Sequence, residues 1–370
     1  MRRLIPLILA AACGHTQTIS PTGPALASTI DAIAARTMED LRIAGATVLV
    51  ERDGTTVLAR GYGQADRERG IAASADTVYR IGSITKQFTA AAILQLAEQN
   101  KLSLDDELQR YLPDFPRQGR HVTLRHLLAH TSGIKSYTDL PEGELEKLMD
   151  IDMTHEQVVA RFEDLPFDFE PGTKWRYDNS GYFLLGMVVE KASGQSYIDY
   201  LRAHVFPAAG LEHTIYCPHD PTGPEQAQGY SHDKKPFGVA APLSMTLPYA
   251  AGALCSTAGD LLRWTVALAS GKVVSPASYA QMTTGAKLTD GSDSHYGFGL
   301  FIGRLDRHRR ITHGGGINGF NADLTLYPDD RVIVVVLTNN EGGAQQLAGR
   351  VARAVLGIPL GDLPVGAAQL

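Results

Sequence analysis

Apolar residues recur at helical spacing near the start of the chain, at Ile30, Ile33, Ala34, Met38 and Leu41. This predicts a helix from about Pro24 to Arg42. Two β-rich runs follow, Ala46 to Glu51 and Thr55 to Gly61, on either side of Asp53-Gly54. That pattern reads as a hairpin. An Ala- and Leu-rich stretch from Ser83 to about Asn100 predicts a second long helix. From Leu102 to Leu247 the pattern is helical only in patches, broken by Pro113, Pro116, Pro166, Pro171 and Pro207. Ser256-Thr257-Ala258-Gly259-Asp260 carries a helix-start signal ahead of Leu261, Leu262, Trp264 and Leu268. The last third reads as strands at Tyr296 to Ile302, Arg310 to His313, Ala322 to Tyr327 and Val332 to Thr338, then a helix from Gln345 to Leu356. Pro328-Asp329-Asp330 is a turn between two of these strands.

Strands at both ends and a helical middle predict an α+β fold: one antiparallel sheet flanked by helices, with an inserted mainly helical lobe. The expected catalytic domain is 23–358. Its sheet lobe comes from about 23–85 and 250–358, its helical lobe from about 86–249, and 359–370 form a tail. A site is expected in the cleft between the lobes.

With 370 residues, 44% of them hydrophobic, the chain can bury a large core. The formal charge of -6, with no basic block, argues against nucleic acid as a partner. Met1-Arg2-Arg3 and the apolar run Leu4 to Ala12 read as an export signal, with 1–22 as signal and linker. The periplasm or cell envelope is the expected location. Ala10-Ala11-Ala12-Cys13 also resembles a bacterial lipoprotein box, although Leu9 lies one place too far out, so membrane attachment through a lipidated Cys13 is kept as a second expectation. Cys217 and Cys255 remain, as a disulfide or as two separate thiols. His155-Glu156 starts like a zinc-protease helix, but Val159 breaks the motif, and no metal is expected.

Three motifs carry candidate chemistry. In Ser83-Ile84-Thr85-Lys86 the serine and lysine sit at i and i+3 on one helix face. A serine hydroxyl needs a neighbouring base, and a desolvated lysine can serve as one. The other two Ser-x-x-Lys copies, Ser132 to Lys135 and Ser231 to Lys234, lie in loops and read as surface residues. Tyr177-Asp178-Asn179 offers a tyrosine whose pKa a nearby lysine can lower. It also offers an amide to hold a carbonyl, while its Asp, Asn and Ser180 equally suit a helix cap. His313-Gly314-Gly315-Gly316 ends an apolar run, and its glycines let a substrate approach a strand edge. An N–H there would complete an oxyanion hole with that of Ser83.

Together, and in this order, the motifs resemble the family of class C β-lactamases, D-alanyl-D-alanine carboxypeptidases, and their esterase and D-aminopeptidase relatives. Supporting segments are Leu104-Asp105-Asp106 before Tyr111-Leu112-Pro113, Val122 to Ile134, Ala251 to Asp260, and Val335 to Asn339. The resemblance implies Ser83 as the acylated nucleophile, Lys86 as its activator, and Tyr177 as general base and then acid. It implies Asn179 and the His313 to Gly316 strand as substrate-binding, with the Gly316 N–H on the oxyanion. It implies no cofactor. Asp178 stands where serine is common, and His-Gly-Gly where β-lactam-hydrolysing members carry Lys-Thr-Gly. Histidine would make the positive charge pH-dependent near neutrality.

The expected activity is therefore a serine hydrolase acting through an acyl-enzyme on D-amino acid-containing peptides, amides or esters. A β-lactamase is one alternative. A non-catalytic sensor of penicillins or cell-wall fragments is another, although both Lys86 and Tyr177 are present. No Gly-x-Ser-x-Gly elbow suggests the other serine esterase type. His126, His130, Trp175 and Trp264 read as structural, and Tyr296 as a residue that could border the cleft.

Overall fold

The computed structural model describes residues 23–360, except 142, 219–222, 224 and 232–236. Cys13, the expected leader over 1–22 and Lys234 lie outside the described residues. The strands in chain order are β1 (Gly45–Arg52), β2 (Thr55–Asp66), β3 (Ile71–Ala72), β4 (Tyr79–Arg80), β5 (Ile215–Tyr216), β6 (Tyr230–Ser231), β7 (Gly238–Val239), β8 (Leu254–Ser256), β9 (Phe301–Leu305), β10 (His308–Ile317), β11 (Phe320–Tyr327) and β12 (Val332–Thr338).

Seven of them form one antiparallel sheet in the order β3-β2-β1-β12-β11-β10-β9. The two ends of the chain meet at its centre, where Ala46 pairs with Thr338 and Arg52 with Val332. Alternation sorts the side chains to two faces. Val332, Val334 and Val336 face one core with the first helix, Pro24–Leu41, and the C-terminal helix, Ala344–Leu356. Ile333, Val335 and Leu337 face the larger core, shared with the helices of the middle segment. The stretch expected to be helical also holds the short strands β5, β6 and β7, and β5 joins β4 and β8 in a second sheet. Cys217, just after β5, is bonded to Cys255 in β8.

Two helices matter most for the site. Gly82–Ile84 forms a single 3-10 turn that leads into the helix Thr85–Glu98. Every residue from Thr85 to Leu96 is buried. Phe88 stacks on Trp264 with ring centroids 3.9 Å apart, and the Trp264 indole donates to Gln87 at 2.9 Å. A helix buried all round cannot slide without opening voids, so Lys86 is held firmly. The helix Asn179–Ser193 starts at the tyrosine motif, where the Asp178 carboxylate caps it by accepting from the Gly181 N–H at 3.1 Å. The sequence predicts a strand from Tyr296 onward, but the strand begins only at Phe301. The preceding residues turn instead, pressing Gly299 onto the backbone of Lys86 and Gln87.

Candidate active site

The i, i+3 spacing on the nucleophile helix brings Lys86 Nζ to 3.1 Å from Ser83 Oγ. Lys86 is fully buried, and Nζ also donates to Asn179 Oδ1 at 2.8 Å and Ala251 O at 2.9 Å. Burial holds the lysine well below its ordinary pKa. The two carbonyl oxygens can only accept. A neutral amine spends both N–H bonds on them and turns its lone pair to the Ser83 hydroxyl. Asn179 is oriented for this by donating its amide N–H to Thr138 Oγ1 at 3.1 Å.

Tyr177 lies beside this pair, its ring centroid 4.7 Å from Lys86 Nζ. Its hydroxyl is buried and has no hydrogen-bond partner of good geometry among the described residues. The expectation of a lowered tyrosine pKa is corrected: burial raises it, and the neighbouring Ser83 hydroxyl offsets this only in part. Tyr177 therefore rests as a neutral phenol.

β10 supplies the opposite wall. β9 pairs with β10 only as far as Thr312 opposite Phe301, so the edge from His313 onward is open. It runs against the Ser83 turn. A Cβ on Gly315 would meet Ile81 O at 1.9 Å, and one on Gly82, whose φ is +50°, would meet Gly316 N and O at 3.1 Å. Only glycines allow this approach. The Gly316 amide thus faces the same turn that carries the Ser83 N–H.

His313 is not the cation the sequence suggested. It is 2% exposed, its Nδ1 lies 2.6 Å from Gly314 O, and its Nε2 lies 3.0 Å from Tyr296 Oη. The carbonyl can only accept, so Nδ1 carries the proton and Nε2 accepts from the tyrosine. Burial, with Lys86 nearby, lowers its pKa to about 3, so the ring is neutral at physiological pH. Tyr296 does border the site, and its role is to seal His313.

The tyrosine loop is laced to the segment 130–138. Asp178 N–H donates to His130 Nδ1 at 3.1 Å, and Asn179 N–H donates to Ser136 Oγ at 3.1 Å. Ser132, expected at the surface, is fully buried and donates to Asp178 Oδ2 at 3.4 Å, while Lys135 pairs with Asp168. Asp178 forms no ion pair within 4.0 Å among the described residues; its carboxyl, raised to about 7 by burial, is a helix cap instead. His126 is structural as expected, closing a capping box with Thr123. His130 was missed as part of the site: its ring packs 4.4 Å from Tyr177 and 4.6 Å from Tyr296. Burial, Lys86 and His313 all hold its pKa well down, so it too is neutral. Ser83, Tyr177 and the strand from His313 to Gly316 line one cavity of about 890 Å3.

Residues 30–357 match the model of the family described as Beta-lactamase. The chain belongs to the β-lactamase family. It is 31% identical over 314 residues to penicillin-binding protein 4* of Bacillus subtilis, spanning 80% of this chain and 68% of that protein. It is 26% identical to a D-aminopeptidase of Gluconobacter oxydans over 85% of this chain and 59% of that one. Among solved structures, a D-stereospecific amidohydrolase from a Streptomyces species superposes with a TM-score of 0.77 at 27% identity, covering 92% of this chain and all of its own. The α+β architecture is that of the family, and the protein is a serine hydrolase of this β-lactamase fold.

Proposed function

We propose that the protein hydrolyses D-amino acid-containing peptides, amides or esters through an acyl-enzyme on Ser83. The observation that carries this reading is the hydrogen-bond set of Lys86, whose two fixed carbonyl acceptors leave its lone pair for the serine proton. In the first step Ser83 Oγ bonds to the substrate carbonyl carbon while its proton passes to Lys86 Nζ. The carbonyl electron pair moves onto oxygen, where the N–H groups of Ser83 and Gly316 hold the negative charge. As the C–N or C–O bond breaks, the leaving group takes the Tyr177 hydroxyl proton, and Tyr177 is reprotonated from the Lys86 ammonium. Water then attacks the acyl-enzyme as Lys86 takes its proton, and Ser83 Oγ recovers a proton on release. Asn179 keeps Lys86 in place and offers its amide edge to the substrate.

The names of relatives support the D-amino acid preference, since they include a D-aminopeptidase and a D-stereospecific amidohydrolase. Efficient β-lactam turnover fits less well, because Gly314 offers no hydroxyl and His313 no charge for a carboxylate beside the nucleophile. The Cys217–Cys255 disulfide and the leader-like start favour action outside the cytoplasm, in the periplasm or cell envelope.

Intact-mass spectrometry after mixing with penicillin, beside turnover of D-alanine p-nitroanilide, tests the proposal. An adduct mapped to Ser83, and turnover lost in Ser83→Ala, are expected. Undiminished turnover by Ser83→Ala, free of host enzyme, would sink the assignment. Neither adduct nor turnover in the parent protein would favour a sensor instead.

A further inference from the structure

The open edge of β10 is short, and one end of it is closed by an aromatic ring. From Gly316 back to His313 the edge runs about 10 Å. There Phe301 pairs with Thr312, and β9 takes the place that a longer substrate strand would need. Phe301 is firmly set. A tight turn leads to it from Tyr296, which bridges back to it, and the Ile302 N–H donates to His295 O at 2.8 Å. Its half-buried ring meets Tyr296 edge-on at 4.7 Å and Trp175 at 6.1 Å. The same residue lines the cavity at Ser83. Behind the edge the way is shut. A Cβ on Gly314 would sit 2.6 Å from Gln345 Nε2, so the glutamine side chain fills that side, donating to Ala322 O at 3.2 Å.

This blind end is where a leaving group goes. Tyr177, the residue that gives the leaving group its proton, lies nearly parallel to Phe301, with 9° between the rings and 6.4 Å between their centroids. Its ring is 6.0 Å from that of His313. The acyl carbonyl is held at the other end, by the N–H groups of Gly316 and Ser83. A group departing past Tyr177 therefore moves toward His313 and Phe301. The residues that meet it there carry no charge. Both nitrogens of His313 are spent, on Gly314 O and on the Tyr296 hydroxyl, and Phe301 stands 5.2 Å from that ring. The arginines of the cavity lining belong to the other face of the sheet. Arg310, three positions before His313, faces the buried Asp323, while Arg350 and Arg353 on the C-terminal helix donate to Thr37 and Pro359 O. A carboxylate brought against Phe301 would lose water and gain no partner, which is costly, whereas an apolar ring would gain by losing water.

Resting on the acyl-enzyme reading above, we propose that Phe301 determines specificity for the leaving group, and that the preferred substrates are D-amino acid esters and amides of apolar, above all aromatic, alcohols and amines. Substrates that release a free amino acid, whose carboxylate would lie against Phe301, are the disfavoured class. The edge adds a limit of length. Its span of about 10 Å must also hold the acyl carbonyl, so the leaving group is about one residue long and a longer chain meets β9.

The test compares kcat/KM for three D-alanine esters, the benzyl, the methyl and the carboxymethyl. The acyl group is constant, and benzyl and methyl alcohol are leaving groups of similar basicity, so the ranking reads the far end of the substrate. The benzyl ester should react about tenfold faster than the methyl ester, and the carboxymethyl ester no faster than the methyl. Phe301→Ala should bring the benzyl-to-methyl ratio to about threefold or less, and Phe301→Arg should raise the carboxymethyl ester above the methyl. Thermal melts show whether the variants are folded, and the ranking in the parent protein needs no variant. A parent that treats benzyl and methyl esters alike, or prefers the carboxymethyl ester, overturns the proposal, as does a benzyl preference unchanged in folded Phe301→Ala. Ester turnover that persists in Ser83→Ala would instead overturn the acyl-enzyme reading and this proposal with it. Equal rates on the corresponding L-alanine esters would overturn the D-preference, while the ranking of leaving groups tests Phe301 independently.

Discussion

Gly315→Ala is the most direct probe of how the strand and the nucleophile turn share their space. The added methyl would sit 1.9 Å from Ile81 O, where real contacts essentially never fall below 3.0 Å. Both groups belong to backbone, so no side chain can swing away. β10 and the Ser83 turn must part by at least about 1 Å, which widens the gap between the Gly316 N–H and the Ser83 N–H. A displacement of that size costs about 100-fold in rate. Losing one oxyanion donor costs a similar ~100- to 1,000-fold. We therefore expect kcat/KM for a neutral p-nitrophenyl ester to fall about 100-fold, with a loss of about 1–3 kcal/mol in stability from overpacking. Gly316→Ala is the matched control, because its methyl meets nothing closer than Asn321 Nδ2 at 3.8 Å. It should stay within a few-fold of the parent. Initial rates and thermal melts of the three proteins decide the matter. A folded Gly315→Ala enzyme hydrolysing at the parent rate would refute the placement of β10 as the oxyanion wall.

Three further outcomes are expected. The Asp178 carboxyl keeps its proton in the fold from its ordinary 3.8 up to about 7. The folded state therefore binds more protons in that window, and stability falls as pH rises through it, by up to ~4 kcal/mol. Asp178→Asn, an equally good cap, should remove this slope in denaturant titrations at successive pH values, and an unchanged slope would reject the buried acid. His313 works in the opposite sense. With its folded pKa at about 3, it contributes stability above 6.5 that is lost as pH falls toward 3. Substrate affinity should nevertheless be flat from about pH 6 to 8 as far as His313 is concerned, and a drop that disappears in His313→Gln would show a charged ring. Finally, Cys217→Ala opens a loop of 38 residues and should cost about 4 kcal/mol by the loop-entropy model, read as a shift in denaturation midpoint.

Much of the site was legible because its spacing is local. Ser83 and Lys86 share a helix face by i, i+3 geometry alone, and the cap at Asp178 follows from residue type. The glycine run announced a strand edge before its neighbour was known. Charge states were not legible, because the burial that sets them comes from elsewhere. His313 and Lys86 are held neutral by burial, with Lys86 adding to the effect on His313, and the segments that bury them, around Tyr296, Ala251 and Asn179, are distant in sequence. Ser132 shows the same limit. Thr131 and Gly133 rightly mark a loop, but this loop is folded beneath the tyrosine motif. His130 carried no signal of its own, since a histidine beside apolar residues reads as packing. Its place against Tyr177 depends on how two distant loops meet.

The central pairing of Ala46 with Thr338 also sets a timetable for the molecule's birth. A ribosome delivers the nucleophile helix early and Gly316 very late. Until then β1 and β2 lack the strand that joins them to β11 and β10, and the nucleophile turn lacks its oxyanion wall. Long-range pairings of this kind form slowly. A chain that ends before β10 therefore lacks one wall of the site, and the Ser83 turn meets its oxyanion partner only once nearly the whole chain has been made.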